Sequence, residues 1–261
     1  MSTSLVEFKI PDIEGKAVLI TGGSTGIGAA LVTAFARLGA RVGLHYNSSH
    51  RAAEAVAASA RKAGGQIHLI QGDFSKSADV RRVVREMGQH FGAIEGLINN
   101  AGGMVARQNW AEASDEHYDA VMDLNARSVV TAARAAFPWL SKQGGFIINT
   151  TSVAARNGAA NGAGMYGSAK SFVSNVTRGM AKEFIGVGIR VNAVAPGVID
   201  TPFHKRYTNE AQMKAMLSTI PLGRAGAASE CVGAYLFLAS KSLSGYVTGQ
   251  VIEVNGGQLM P

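Results

Sequence analysis

The chain has 261 residues, with 25 Lys and Arg against 18 Asp and Glu, a formal charge of +7, 47% hydrophobic and 16% charged residues. That is a globular composition with ample apolar surface for a core. One cysteine, Cys231, excludes an internal disulfide framework, and no apolar run nears the roughly 18 residues that a bilayer span needs. In chain order, short β-like runs fall at 17–20, 41–45, 66–70, 96–99, 146–150, 189–194 and 250–254. Between them lie helical patterns. Ile27, Leu31, Phe35 and Leu38 repeat near 3.6 residues, "RAAEAVAASARKAG" closes on a glycine, and "KSADVRRVVRE" sets Val80, Val83 and Val84 as an inner face. Apolar strands alternating with helices predict a parallel sheet covered on both faces. The fold class is therefore α/β, a doubly wound sheet of seven mainly parallel strands. No Pro/Gly/Ser linker divides the chain, so residues 1–261 read as a single domain.

Several partners are unexpected on these grounds. The densest basic group, Lys76 to Glu86, has no interleaved aromatics and reads as a solvated helix face, so no nucleic acid is expected. The histidines at 45, 50, 68, 90, 117 and 204 are scattered, which points away from a metal site. The start "MSTSLVEFKIPDIEGK" has acids and no apolar block, unlike a secretory signal. With the lone cysteine, a soluble cytoplasmic protein is expected. Cys231, within "ECVGAYLFLAS", reads as a small core residue rather than a nucleophile.

Between the first strand and first helix stands "TGGSTGIG", with Gly22, Gly23, Gly26 and Gly28. Glycine loses conformational entropy on folding, so something must require backbone without side chains. In a doubly wound sheet this turn faces the crevice beyond the strand ends, where free N–H groups and the helix dipole favour an anion. A pyrophosphate can approach only if no Cβ intervenes, which predicts a dinucleotide site. The end of strand two decides which dinucleotide. An acid about 20 residues after the glycines would bond ribose hydroxyls and repel a 2′-phosphate. Here "LHYNSSHR" has no acid: Tyr46 takes its place, followed by Asn47 and Ser48, with Arg51 nearby. Those groups can donate to a phosphate, so NADP(H) is expected over NAD(H).

The glycine turn, "NNAG" (Asn99 to Gly102), "YGSAK" (Tyr166 to Lys170), "NAVAPGVIDTP" (Asn192 to Pro202) and "YVTGQVIEVNGG" occur in one order. In that order and spacing, over residues 14 to 257, the chain resembles the short-chain dehydrogenase/reductase family, nearest its 3-oxoacyl-(acyl-carrier-protein) reductases. The resemblance implies that Gly22, Ser24, Thr25, Gly26, Ile27 and Gly28 cradle the cofactor. It implies that Asp73, beside Phe74, bonds the adenine amino group and that Asn100, Ala101 and Gly102 line the ribose. Pro196, Gly197, Ile199 and Thr201 are implied to close over the carboxamide. Ser152 would bond the substrate oxygen, with Thr150 and Thr151 adjacent and register deciding among the three. Asn125, on the fourth helix, would hold a water through backbone contacts and complete a proton relay from Lys170.

Tyr166 and Lys170 lie at i and i+4, so on a helix they share one face. Reducing a ketone needs a hydride on carbon and a proton on the developing alkoxide. A free phenol, with pKa about 10, is a poor base at neutral pH. A nearby ammonium and a positive nicotinamide are expected to lower that pKa, and Lys170 also to grip the ribose. A substrate lid is implied at about 200–225. Candidate pocket residues are Met104, Arg107, Arg156, Asn157, Met165, Phe203 and His204, around the Gly-, Ala- and Asn-rich loop "VAARNGAANGAGM". They would accept a 3-oxoacyl thioester, or a sugar or polyol. The basic charge suits an acidic carrier protein, although Thr131 and Val187 stand where carrier-protein reductases tend to have arginines, leaving Arg127 and Arg178 as substitutes. A non-catalytic dinucleotide sensor is a further class, opposed by the presence of all four catalytic residue types. The resemblance also implies a homotetramer.

Overall fold

The computed structural model describes residues 10–261, so most of the opening segment read for a secretory signal lies outside the described residues. Each expected β-run forms a strand. These are β1 (Ala17–Ile20), β2 (Arg41–Tyr46), β3 (Gln66–Gln71), β4 (Gly96–Asn99), β5 (Gly145–Thr150) and β6 (Ile189–Pro196). Two short strands follow, β7 (Ile199–Asp200) and β8 (Gly226–Ala227), and then β9 (Val251–Val254). Seven strands form one sheet in the order β3-β2-β1-β4-β5-β6-β9, and every pairing in it is parallel. Strand β1 therefore pairs with β2 on one side and β4 on the other, and the order reverses there. A crevice at that reversal, beyond the carboxyl ends, is where such sheets bind ligands.

The apolar runs make this sheet because successive side chains point to opposite faces, and both faces are covered. Val18 and Ile20 join Val42, Leu44, Ile98 and Ile148 in one core cluster, while Ala17 and Leu19 join Leu97, Ile147 and Val191 in the other. The first face is roofed by α1 (Gly26–Arg37), α2 (His50–Lys62) and α10 (Ala228–Ala239), the second by α3 (Ser77–Phe91), α5 (Ser128–Leu140) and α7 (Gly164–Phe184). Each fully buried Val, Leu or Ile contributes about 1.5–3 kcal/mol. Val80, Val83 and Val84 are buried as their spacing predicts, and Cys231 sits in the first cluster. Burial pushes its thiol up to about 11, which keeps it protonated and inert.

The smaller helices are α4 (Asp115–Met122), α6 (Ala154–Asn157), α8 (Pro202–Tyr207), α9 (Glu210–Leu217) and α11 (Lys241–Ser244). One expectation is corrected. Asn125 does not lie within a regular helix: a π-helical turn, Asp123–Arg127, joins α4 to α5. Such turns are uncommon and recur at functional sites. Among the described residues, no helix is long and apolar enough to cross a membrane.

Candidate active site

A single cavity of about 650 Å³ runs along the carboxyl ends of the strands, from the glycine turn past Tyr166 to the helices α8 and α9. Gly22, Ser24, Thr25, Gly26 and Ile27 line one end. The glycines there answer first to the protein itself. Gly22 and Gly26 have φ of 65° and 54°, values that side chains disfavour. A Cβ on Gly28 would stand 2.1 Å from the Gly22 carbonyl oxygen, and one on Gly22 would stand 3.0 Å from Ala101 Cα. Backbone therefore packs on backbone, and Gly28 does not line the cavity. What faces the cavity is the N-terminus of α1. Thr25 gives it no side-chain cap and its first turn holds no acid, so its leading N–H groups suit a diphosphate.

The turn is held by residues whose sequence motifs did not declare that role. Thr21 Oγ1 accepts from the N–H groups of Asn100 and Ala101 at 2.9 Å each. Asn100 Nδ2 donates to the carbonyls of Thr21 and Gly22, so its side chain braces the turn. His45 Nδ1 accepts from Gly22 N, and its Nε2 donates to Gly72 O. Burial drives the His45 pKa down to about 4, and its ring stacks on Phe74 at 3.8 Å. The neutral imidazole thus ties the glycine turn to the loop after β3. An interior histidine at a strand end was the available signal.

At the end of β2 the side chains divide. Asn47 and Ser48 line the cavity, joined by Ser49, which was not anticipated. Tyr46 turns into the core, 9% exposed, with its hydroxyl on His50 Nδ1 at 2.9 Å, so its side chain is withdrawn from the proposed contact set. Alternation explains this: the neighbour of an inward residue points the other way. Arg51 is not among the lining residues. Asp73 is also absent from the lining, its carboxylate accepting from the N–H and hydroxyl of Ser75.

The three hydroxyls after β5 separate cleanly. Thr150 Oγ1 bonds Tyr235, and Thr151 Oγ1 bonds Ser174 and the Lys170 carbonyl. Both residues also line the cavity, but their hydroxyls are engaged within the protein, on opposite sides of the sheet. Ser152 lines the cavity, with Oγ accepting from Ala154 N at 3.1 Å, and it exerts a lowering influence on the Tyr166 phenol. Tyr166 and Lys170 follow on α7, and Lys170 Nζ lies 5.7 Å from the Tyr166 ring centroid. Lys170 is 3% exposed and donates to Thr150 O at 2.9 Å.

Burial dominates both groups. It pushes Tyr166 up to about 12, with Ser152 acting against the rise, and pulls Lys170 down to about 8. The expectation that the tyrosine pKa is lowered is therefore corrected: in the protein alone the phenol is the acid form, because desolvation outweighs the Ser152 hydrogen bond. Asn125 lies beneath, fully buried. Its Oδ1 accepts from Gly103 N and its Nδ2 donates to Gly103 O and Val121 O. The amide is spent on holding that backbone, leaving only its main chain for the implied water. A Cβ on Gly102 would stand 2.8 Å from Asn125 Oδ1 and 3.1 Å from Lys170 Nζ, so this glycine lets loop, amide and ammonium meet.

At the far end Met104, Arg107, Asn157, Phe203 and His204 line the cavity as expected. Phe203 lies 5.6 Å from the Tyr166 ring, centroid to centroid. Met165 is instead packed with Val121 and Ala169, and Arg156 pairs with Glu253, so neither lines it. Helices α8 and α9 occupy the expected lid segment, and Met216, Thr219 and Gln258 complete the wall. Pro196, Gly197, Ile199 and Thr201 line the stretch between the glycine turn and the lid.

Residues 22–258 match the family model described as Enoyl-(Acyl carrier protein) reductase. The chain is similar to the 3-oxoacyl-[acyl-carrier-protein] reductase FabG of Thermotoga maritima, 37% identical over 246 residues, covering 94% of this chain and 98% of that one. Among solved structures, the NADH-dependent reductase A1-R′ complexed with NAD is 38% identical, with a TM-score of 0.86 and coverage of 97% and 100%. A short chain dehydrogenase from Burkholderia cenocepacia in complex with NADP is 31% identical, with a TM-score of 0.88 and coverage of 95% and 99%.

Proposed function

The chain belongs to the short-chain dehydrogenase/reductase family, an NAD(P)-binding oxidoreductase family, and from that premise we propose that it moves a hydride between NADP(H) and a ketone or secondary alcohol. The observation that carries the reading is one cavity holding Ser152, Tyr166 and Lys170 at one point and the uncapped N-terminus of α1 at another. The α1 N-terminus and Ser24 to Ile27 would hold the diphosphate. Asn47 and Ser48 would hold the 2′-phosphate, a choice supported by the lack of any Asp or Glu among the described lining residues. Lys170 would hold the nicotinamide ribose. When bound, the nicotinamide supplies or accepts the hydride. Ser152 orients the substrate oxygen, and the Tyr166 hydroxyl, protonated at neutral pH, donates its proton to the developing alkoxide. Lys170, near 8, is poised to pass a proton onward to the phenolate left behind.

For the substrate, the 3-oxoacyl-(acyl-carrier-protein) reductases among the relatives support a 3-oxoacyl thioester, and the net charge of +7 suits an acidic carrier. Two observations support a sugar or polyol instead. The reductase A1-R′ is described as NADH-dependent and responsible for alginate metabolism. Arg127, one of the arginines that could stand in for a carrier-binding pair, is already paired with Asp123. A cytoplasmic homotetramer completes the proposal. The test is NADPH and NADH absorbance against a panel of thioesters, sugars and polyols. NADPH-dependent turnover lost in Tyr166→Phe supports the reading. A clear NADH preference overturns the cofactor assignment, and binding without turnover of any ketone favours a dinucleotide sensor.

A further inference from the structure

Charge is distributed unevenly round the cavity. No Asp or Glu lines it among the described residues, whereas Arg107, Lys170 and Arg206 do. Lys170 belongs to the reacting pair. The two arginines stand at the other wall, with Arg206 exposed at the rim.

Arg107 is the distinctive one. Its Nε donates to Tyr207 O at 2.7 Å and its Nη1 to Asn161 O at 2.9 Å. One guanidinium thus joins three segments: its own loop after β4, the glycine-rich loop before α7, and the end of α8. Nη1 also donates to Ala160 O at 3.5 Å, and all three acceptors are neutral carbonyls. Among the described residues, no carboxylate lies within ion-pair distance and no protein acceptor meets Nη2. The side chain is half-buried, and burial acts on its pKa without a counter-charge to oppose it. A partly desolvated, unpaired cation is costly. Here Nε and Nη1 are tied to backbone carbonyls, which leaves Nη2 without a protein acceptor among the described residues.

That fork lines the same cavity as the reacting groups. The Phe203 ring lies 5.6 Å from Tyr166 and 5.3 Å from His204. His204 feels the positive charge of Arg107, which together with burial lowers its pKa.

We infer that the substrate carries an anionic oxygen group, a carboxylate or a phosphate ester, which Arg107 binds through Nη2 while the carbonyl lies at Ser152 and Tyr166. The inference rests on the oxidoreductase reading and narrows it: acidic sugars, oxo acids and phosphopantetheine thioesters fit, whereas neutral polyols and simple secondary alcohols do not. Guanidinium is suited to this task because its planar fork matches both anions.

The experiment compares matched substrates on the NADPH-saturated protein. One pair is 3-oxobutanoate against methyl 3-oxobutanoate, and the other is 3-oxobutanoyl-CoA against the neutral N-acetylcysteamine thioester. The anionic member of at least one pair is expected to have kcat/KM higher by about tenfold or more. The pair showing it identifies carboxylate or phosphate as the source. Arg107→Met should erase that preference by raising KM for the anionic member far more than for the neutral one, and be partly rescued by Arg107→Lys. Equal use of both members in both pairs overturns the inference while the oxidoreductase reading stands. So does an equal loss on both members in Arg107→Met. A binding measurement decides the matter independently of turnover. Malonate and inorganic phosphate are added separately to NADPH-saturated wild type and to Arg107→Lys, and the melting temperature is followed. A shift with either anion that the lysine variant weakens supports the inference. No shift with both overturns it. Failure of the protein to oxidise NADPH with any of the four compounds counts against the oxidoreductase reading alone, since the thermal shift still tests the anion site.

Discussion

Replacing Lys170 by methionine should make the protein inactive and more stable. The ammonium is 3% exposed and has one protein acceptor, Thr150 O at 2.9 Å. Burial lowers its pKa from 10.5 to about 8. Between those two values the unfolded chain holds a proton that the native protein has released, so native stability rises with pH across that window. Below about 8 both states are protonated and the whole penalty is present. At about 1.4 kcal/mol per pH unit it amounts to about 3 kcal/mol. Methionine of similar length removes the penalty and also the bond to Thr150, worth about 1 kcal/mol net. The expected balance at pH 7 is about 2 kcal/mol of stabilisation, or about 5 °C in Tm for a chain of this size. Thermal unfolding without added dinucleotide at pH 7 and pH 10 checks it. The gain should vanish near pH 10, where wild type has shed most of the cost. A variant less stable than wild type at pH 7, or a gain that persists unchanged at pH 10, would refute the reasoning.

Three further outcomes are expected. Tyr166→Phe should lower turnover by about 10²–10⁴-fold while the NADPH dissociation constant, followed by cofactor fluorescence, stays within error of wild type. Asn47→Asp puts a carboxylate at the end of β2 in the cavity and should weaken NADPH by about tenfold or more with little effect on NADH; equal effects on the two would remove Asn47 from the 2′-phosphate site. Gly28→Ala sets a Cβ against the Gly22 carbonyl, 2.1 Å away, with no flexible side chain to yield, and should cost about 3 kcal/mol or more by chemical denaturation.

The strands and their parallel sheet were legible because each rests on local pattern, whereas Ser152 was named from the family resemblance. Apolar runs are set by burial on both faces of the sheet, and the i, i+4 spacing of the tyrosine and lysine is a property of any helix. The misreadings share a cause. Tyr46, Met165 and Arg156 sit next to cavity residues in the chain, yet point into the core or toward Glu253, and side-chain direction at a strand end or loop is settled by what packs there. Asn125 was placed on a regular helix, whereas its amide sits in a π-helical turn and clamps Gly103 from 22 residues away.

The sequence alone determined the class of machine: a doubly wound sheet, a glycine turn opening a helix, and a hydroxyl, phenol and ammonium in the right order. The sheet and the glycine turn follow from periodicity and spacing, which act over a few residues, and the order of hydroxyl, phenol and ammonium was read through the family resemblance. Tertiary structure alone decided the protonation of the phenol, the roles of His45 and Arg107, and which two of three adjacent hydroxyls are engaged within the protein. Desolvation and charge act through space, between groups far apart along the chain.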